Sequence, residues 1–468
     1  MGRKYQLPTE KGSRELLMAN IDENILRCGA DAVRSQQIWG NEGMHQRAMA
    51  ACAIALDTEP ETSEWLDWIF AEKGGHVPAI IVGGIDRDGV GAEAAPGYAL
   101  GWGANIGTLA DMLAEYGKYE KHDIYRDFPQ FAKTFTAGSR ITILDYDTPS
   151  IGDTGATGDI GKVQSSPEFM VRGYRYLGDP QIALAAYRAN GDSAAGLGRS
   201  IFDEDPDRIS REVAQIAAQT GAASGLGPHH MPGYGFLTLE FGQRKTGTGL
   251  FMYYGRNGGH GHKDRLNIGL YGFGFDLTPD LGYPEFATSW PQRNEFTDPT
   301  ISHNTVLVDQ VPQSVNWVGH PRFFKVLPGF QCAEVESSDV YASTRDYRRT
   351  VAMIQVSDWL GYALDVFRVE GGADHMRGLH GPGVEVTTSG LKLTAQETGT
   401  LAGPDIAFGT TLPVGPKYGY SWLGRIEYDN LPPDNWTVDW KVQAGYRGAT
   451  GAEDVHVRMW DFTPADDV

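Results

Sequence analysis

The feature that most constrains the fold is a change of hydrophobic period near residue 220. Upstream, apolar residues recur at three- and four-residue spacing over residues 14–34, 42–56, 62–73, 103–117, 122–137, 166–176, 180–189 and 208–218, the pattern of amphipathic helices. Downstream, short alternating or β-branched runs take over (FLTLEF, GLFMYY, NTVLVD, RTVAMIQVS, WLGYALDVFRV, LKLTA, DVHVRMWDF), with turn residues between them. A chain of 468 residues is too long for one core. The expected class is therefore multidomain α+β: a helical domain over 1–220, a junction over 221–235 and an antiparallel β-domain over 236–468. The helices are joined by long glycine-rich loops such as GGIDRDGVGAEAAPGY and DYDTPSIGDTGATGDIG, without strands between them. That predicts an array of helical hairpins whose loops build a site at one end. The strand runs predict a large antiparallel sandwich.

Charge narrows the partners. A net charge of -20 argues against nucleic acid, because binding a phosphate backbone needs a basic face. It leaves open an acidic sugar polymer, whose carboxylates a few local arginines can hold. Cys28, Cys52 and Cys332 are too few and too scattered for a disulfide framework or a thiolate zinc site. No run of 18 apolar residues exists, so no membrane span is expected. The opening MGRKYQLPTEKGSRELL lacks the apolar centre of a secretory signal, which predicts a cytoplasmic protein or a piece of a longer chain.

Three stretches carry candidate chemistry. YGRNGGHGHKDRLN (254–267) lies between strand-like runs, so His260 and His262 would project to one side with Gly261 giving access between them. This suits a ligand pair or a base beside a metal; the alternative is a bulged hairpin with exposed histidines. In GNEGMHQRAM (40–49), a helix starting at Asn41 would put Asn41 and His45 on one face and turn Glu42 about 100° away. The alternative is an N-cap asparagine and a surface histidine. DRDGVGAEAAPGYALGWG (86–103) places Glu93, Tyr98 and Trp102 in a glycine-rich loop expected to line a cleft, unless Tyr98 simply caps the next helix. Farther along, His262, Asp280 and His303 form a nitrogen and oxygen set suited to zinc, with water or a fourth group completing a tetrahedron. The adjacent His229 and His230 read as linker residues.

GNEGMHQ (40–46), the loop ending PGY (96–98), GGHGHKDRLNIGLYGFGFDLTPDLGY (258–283) and ISHNTVLVD (301–309), in this order, resemble the heparinase II/III-like superfamily of polysaccharide lyases, which includes alginate, oligoalginate and glycosaminoglycan lyases. The resemblance implies an incomplete (α/α) toroid, short at its front in this chain, followed by a β-sandwich. It implies β-elimination on a uronic-acid polysaccharide or oligosaccharide, with alginate or oligoalginate the first choice and a glycosaminoglycan the second. It assigns Asn41 to neutralising the substrate carboxylate, Tyr98 to acid or acid-base catalysis and His260 to charge neutralisation or proton abstraction. It assigns His262, Asp280 and His303 to a mainly structural zinc. Glu42, Trp102, Arg256, Arg265 and Tyr283 are expected at the substrate, with Arg265 or His260 lowering the Tyr98 pKa. Several relatives have histidine where this chain has Glu42, so His45, one helical turn on, is the alternative neutralising group. A periplasmic or secreted location is implied, and a dimer is compatible. Two other readings stay open: a non-catalytic carbohydrate-binding or scaffold protein, and a zinc-dependent glycan hydrolase in which the metal activates water.

Overall fold

Proline, serine, aspartate and glycine punctuate the first half, and the helices follow them. The computed structural model describes residues 13–155, 165–199, 204–220, 225–288, 291–358 and 360–463. Ser13 caps Arg14–Ile21, Ser166 caps Pro167–Leu177 and Asp179 caps Pro180–Ala189, each side chain accepting from a backbone N–H of the first turn. Proline at the first helical position is favoured because no intrahelical partner is lost there. The first predicted helix, 14–34, runs as Arg14–Ile21, a π-helical turn over Asp22–Arg27, and Cys28–Arg34. Met44–Leu56, Glu61–Phe70, Pro96–Tyr116 and Arg208–Thr220 follow the expected pattern.

Two expectations fail for a proline reason. The continuous helix over 122–137 is broken into Ile124–Asp127, a 3-10 turn Pro129–Lys133 and Thr134–Arg140. Phe128, which precedes Pro129, is pushed out of the helical region, to φ -133 and ψ 69. The helix expected from residue 103 begins at Pro96, so Tyr98 and Trp102 stand on a helix rather than in the loop before it.

The chain divides into two compact units that are discontinuous in sequence. The helical unit comprises Met1–Ala92, Ala99–Ala137 and Ser166–Thr220; the β-unit comprises Glu93–Tyr98, Gly138–Ser165 and Gly221–Val468. A single boundary near residue 220 therefore misses two excursions of the helical half. Within the helical unit, Met49, Ala53, Leu66, Ile69, Ile106, Leu109, Ile182 and Val213 form one buried core.

In the β-unit, a five-stranded antiparallel sheet runs in sequence order: β1 (His230–Met231), β2 (Phe236–Phe241), β3 (Thr248–Tyr253), β4 (Asn267–Gly272) and β5 (Phe275–Asp276). After β6 (Val306–Val308), a four-stranded sheet consists of β7 (His320–Leu327), β8 (Phe330–Glu336), β9 (Thr344–Gln355) and β10 (Gly361–Gly371), each paired with the next. Leu237, Leu239, Leu250, Met252 and Ile268 of the first sheet share a core with Ala333, Val335, Val351 and Met353 of the second. β2 and β3 are buried along their whole length. The other face of the first sheet meets Ile143 and Leu144: a side chain at Gly249 would run into both, and the Leu144 N–H donates to Glu240. Arg447 pins the same segment through Asp147, at 2.8 Å.

The junction expected over 221–235 is in part a strand, because His230 and Met231 pair with Leu237 and Phe236; residues 221–224 lie outside the described residues. His229 and His230 are accordingly built in rather than linker residues. His229 bridges the Gly227 and Arg140 carbonyls, and His230 contacts the Tyr254 hydroxyl.

Candidate active site and metal centre

The β3–β4 connection, residues 254–266, has no strand character, so its histidines are placed by backbone approach rather than by strand period. Gly261 sits so close to the 93–98 segment that a Cβ there would lie 2.7 Å from that of Ala94. Gly152, at φ +54, passes so near the His260 carbonyl that a Cβ would come within 2.3 Å of it. Glycine is required at both points. The two close approaches bring three distant segments of the β-unit together. The Asp153 N–H donates to the His260 carbonyl (2.9 Å), and the Gly97 N–H donates to Thr154 Oγ1 (3.1 Å).

Tyr98 stacks on His260 with ring centroids 3.6 Å apart and planes 6° from parallel. His260 is 41% exposed at its side chain, and its Nδ1 lies 2.9 Å from Asp153 Oδ2. A carboxylate at Nδ1 makes that nitrogen an N–H donor and leaves Nε2 on the far side of the ring. The other Asp153 oxygen is 3.2 Å from His262 Nε2, and Arg293 Nε and Nη2 hold the carboxylate at 2.8–3.0 Å. Burial would raise the Asp153 pKa, but the hydrogen bonds of His262, Arg293 and His260 outweigh it and hold the group well below the usual carboxylate range. Burial is also the main influence on Tyr98, whose pKa is raised above 10, with Asp153, Tyr283 and Glu93 adding to the rise and Arg293 opposing it. The expected lowering by nearby cations is therefore reversed. Tyr98 keeps its proton at neutral pH and can donate it.

His262, Asp280 and His303 are all buried, and each offers one ligand atom within 4.8 Å of the others. Asp280 comes from the segment after β5 and His303 from the turn before β6. Asp280 Oδ2 accepts from Asn267 Nδ2 (2.9 Å) and lies 2.7 Å from His303 Nδ1, while Oδ1 accepts the Gly282 N–H (2.9 Å). Burial opposes the charge on both partners, yet pairing keeps Asp280 low and pushes His303 up to about 9. His262 Nδ1 and His303 Nε2 are buried without a hydrogen-bond partner. Two orphaned imidazole nitrogens beside a carboxylate fit a zinc ion by donor chemistry.

Other expected site residues fall elsewhere. Arg265 is fully buried, donating to Ser337 Oγ (2.8 Å) and the Trp317 carbonyl (2.9 Å), so it does not face substrate and has no part in the Tyr98 environment. Arg256 is 4% exposed, with its guanidinium 4.4 Å from the Trp317 ring centroid, a packing position. Tyr283 is half-buried; its N–H donates to Gly155 (2.7 Å) and it acts electrostatically on Tyr98.

Within the helical unit, Asn41 is exposed in the turn before Met44–Leu56, whose N-cap is Gly43, not Asn41. Gln46 Oε1 accepts the Gly43 N–H (2.9 Å). Glu42 lies 3.4 Å from His76, and His45 is half-buried with its pKa lowered by burial. Trp102 is partly exposed and packs against the helical core and against Gly84 and Gly91.

Sequence reasoning missed Asp153, which joins the two histidines of the HGH motif. It also passed over the clamp that Arg293 places on it. The available signal was the Gly152-Asp153 pair in a loop too rich in glycine for a plain connection.

Residues 229–401 match the family described as Heparinase II/III-like, C-terminal. A search of curated proteins finds no match to the sequence. Among solved structures, a heparinase III (the BT4657 gene product) aligns over 84% of this chain and 56% of its own, with 16% identity and a TM-score of 0.55. A second heparinase III aligns over 98% of this chain and 64% of its own, with 13% identity and a TM-score of 0.55. The heparan sulfate lyase HepC of Pedobacter heparinus aligns over 78% and 51%, with 16% identity and a TM-score of 0.50. The chain thus spans about half to two-thirds of the length of these structures. Residues 229–401 thus carry a heparinase II/III-like C-terminal region, and the chain as a whole shares its fold with heparinase III.

Proposed function

We propose that the protein is a polysaccharide lyase that cleaves a uronic-acid polymer or oligomer by β-elimination. The observation that carries this reading is the Tyr98 phenol stacked on His260, whose Nδ1 is held by Asp153. His260 Nε2 takes the C5 proton beside the sugar carboxylate. The C5–H electron pair forms the C4=C5 double bond, the C4–O4 bond breaks, and Tyr98 gives its proton to the leaving O4. Water is not consumed. The protonated Tyr98 suits the acid role, and His260, oriented by a carboxylate at Nδ1, suits the base role. Asn41, exposed in the helical unit, is the amide proposed to neutralise the substrate carboxylate, with His45 as the alternative.

The names of the structural neighbours favour a glycosaminoglycan, which thereby moves ahead of alginate, the choice favoured by the motifs. In this reading the helical unit is an incomplete toroid and the β-unit a sandwich. His262, Asp280 and His303 hold a zinc ion, which when bound supplies a structural tie among three loops of the β-unit. Among the described residues, no helix is long and apolar enough to cross a membrane. The test is incubation with heparan sulfate, hyaluronan and alginate while following the ultraviolet absorbance of the new conjugated double bond. The absorbance rises with at least one polymer if the proposal holds. Its absence across polymers and their oligomers rejects it.

A further inference from the structure

We infer that Asp264 is the second carboxylate of the metal centre, supplying together with Asp280 the two negative charges that balance a divalent cation. The inference rests on the zinc reading of His262, Asp280 and His303 and goes beyond that trio. Asp264 is fully buried, and neither of its carboxylate oxygens has a hydrogen-bond partner. A carboxylate desolvated in this way is costly unless a cation faces it.

The neighbouring cations do not serve. Lys263 lies against Asp298 and the Asn257 carbonyl, and Arg265 is turned to Ser337, Trp317 and Asp339. Burial weighs most on Asp264, and the charges that act on it most strongly after that are those of His303, Asp280 and His262, the three candidate ligands themselves. The backbone holds it there: the Asp264 carbonyl accepts the Asn267 N–H (2.9 Å) in a turn that Leu266 completes at φ 64, and Asn267 in turn donates to Asp280.

His262 Nδ1, His303 Nε2 and both Asp264 oxygens are thus four buried polar atoms left without partners among interacting residues. Asp280, by contrast, is already satisfied by Gly282, Asn267 and His303. With neutral imidazoles, a divalent ion facing Asp280 alone would leave a net positive charge in a dry interior. Adding Asp264 brings the site to neutrality.

The experiment strips the full chain of metal and titrates zinc against a chromophoric chelator, with melting temperature read in parallel. Wild type binds one zinc. Asp264→Asn binds it about ten- to a hundredfold more weakly, the range for groups that support metal ligands. With zinc, the thermal gain of the same variant is smaller than that of wild type. Asp264→Glu, which keeps the charge, recovers part of the affinity and serves if the asparagine variant does not fold. Wild-type zinc affinity and thermal gain in Asp264→Asn would overturn the role of Asp264 while leaving the zinc centre standing. A wild-type chain that binds no zinc would instead overturn the centre itself.

Discussion

The GNEGMHQ and GGHGHKD segments look alike in sequence, each a short polar stretch with glycines and histidine, but they are wired differently. In the helical unit the first segment is tied mainly to its own surroundings: Gln46 caps Gly43 three residues away and reaches the Gly75 carbonyl, and Glu42 meets His76, while His45 Nδ1 is buried without a hydrogen-bond partner. In the β-unit both histidines of the second segment reach one carboxylate more than a hundred residues earlier in the chain, and that carboxylate is clamped by an arginine 140 residues beyond it. Local satisfaction stabilises a helix start. Long-range convergence on a buried carboxylate fixes ring orientation and charge, which is what proton transfer and metal binding require.

If the difference between these segments is functional, changes in the second should cost chemistry in a graded way. Tyr98→Phe removes the donated proton and should lower kcat by about a thousandfold, within the range for general acids, with KM and the circular dichroism spectrum nearly unchanged. A wild-type rate would reject Tyr98 as the acid. Asp153→Asn should lower kcat by about a hundredfold and weaken zinc binding as well, since one carboxylate orients both histidines. Steady-state kinetics with chelator competition checks both losses, and loss of only one would separate the histidines that the structure joins.

His262→Ala should lose bound metal, read by elemental analysis, and melt several degrees lower, with less effect on kcat than either change above. Unchanged metal content would remove His262 from the ligand set. The smallest effect concerns pH. Burial raises Glu240 from 4.5 to about 8, so between these values the folded state binds more protons than the unfolded one. Its contribution to stability is complete below pH 4.5 and is lost as pH rises through about 8. Melting curves for Glu240→Gln across this window should be flatter than those of wild type, and parallel curves would contradict the assignment.

How much was legible follows the same division. Helices such as 180–189 were read with their ends, because an Asp-Pro start and a 3.6-residue period are local signals. Over 122–137 two local signals compete, and Pro129 overrides the 3.6-residue period. Strands β7 and β8 were missed because β7 is an edge strand with charged and exposed positions, which hides the alternation seen in β8. Tyr98, His260 and the His262, Asp280, His303 trio stood out through motif resemblance, and the structure gathers them within the β-unit. Asp153 could not be told from the other acidic residues by composition or period, since what sets it apart is contact with residues far along the chain. Arg265 was misread for the converse reason: a charged residue beside a motif suggests a site, but its guanidinium is consumed inside the unit.

The most direct test of elimination at Tyr98 and His260 is product analysis by mass spectrometry after digestion of a uronic-acid polymer in water enriched in heavy oxygen. β-Elimination predicts fragments one water lighter than hydrolysis products, carrying no heavy oxygen from the cleavage step and absent with Tyr98→Phe. Saturated fragments labelled with heavy oxygen would contradict the account and point to hydrolysis instead.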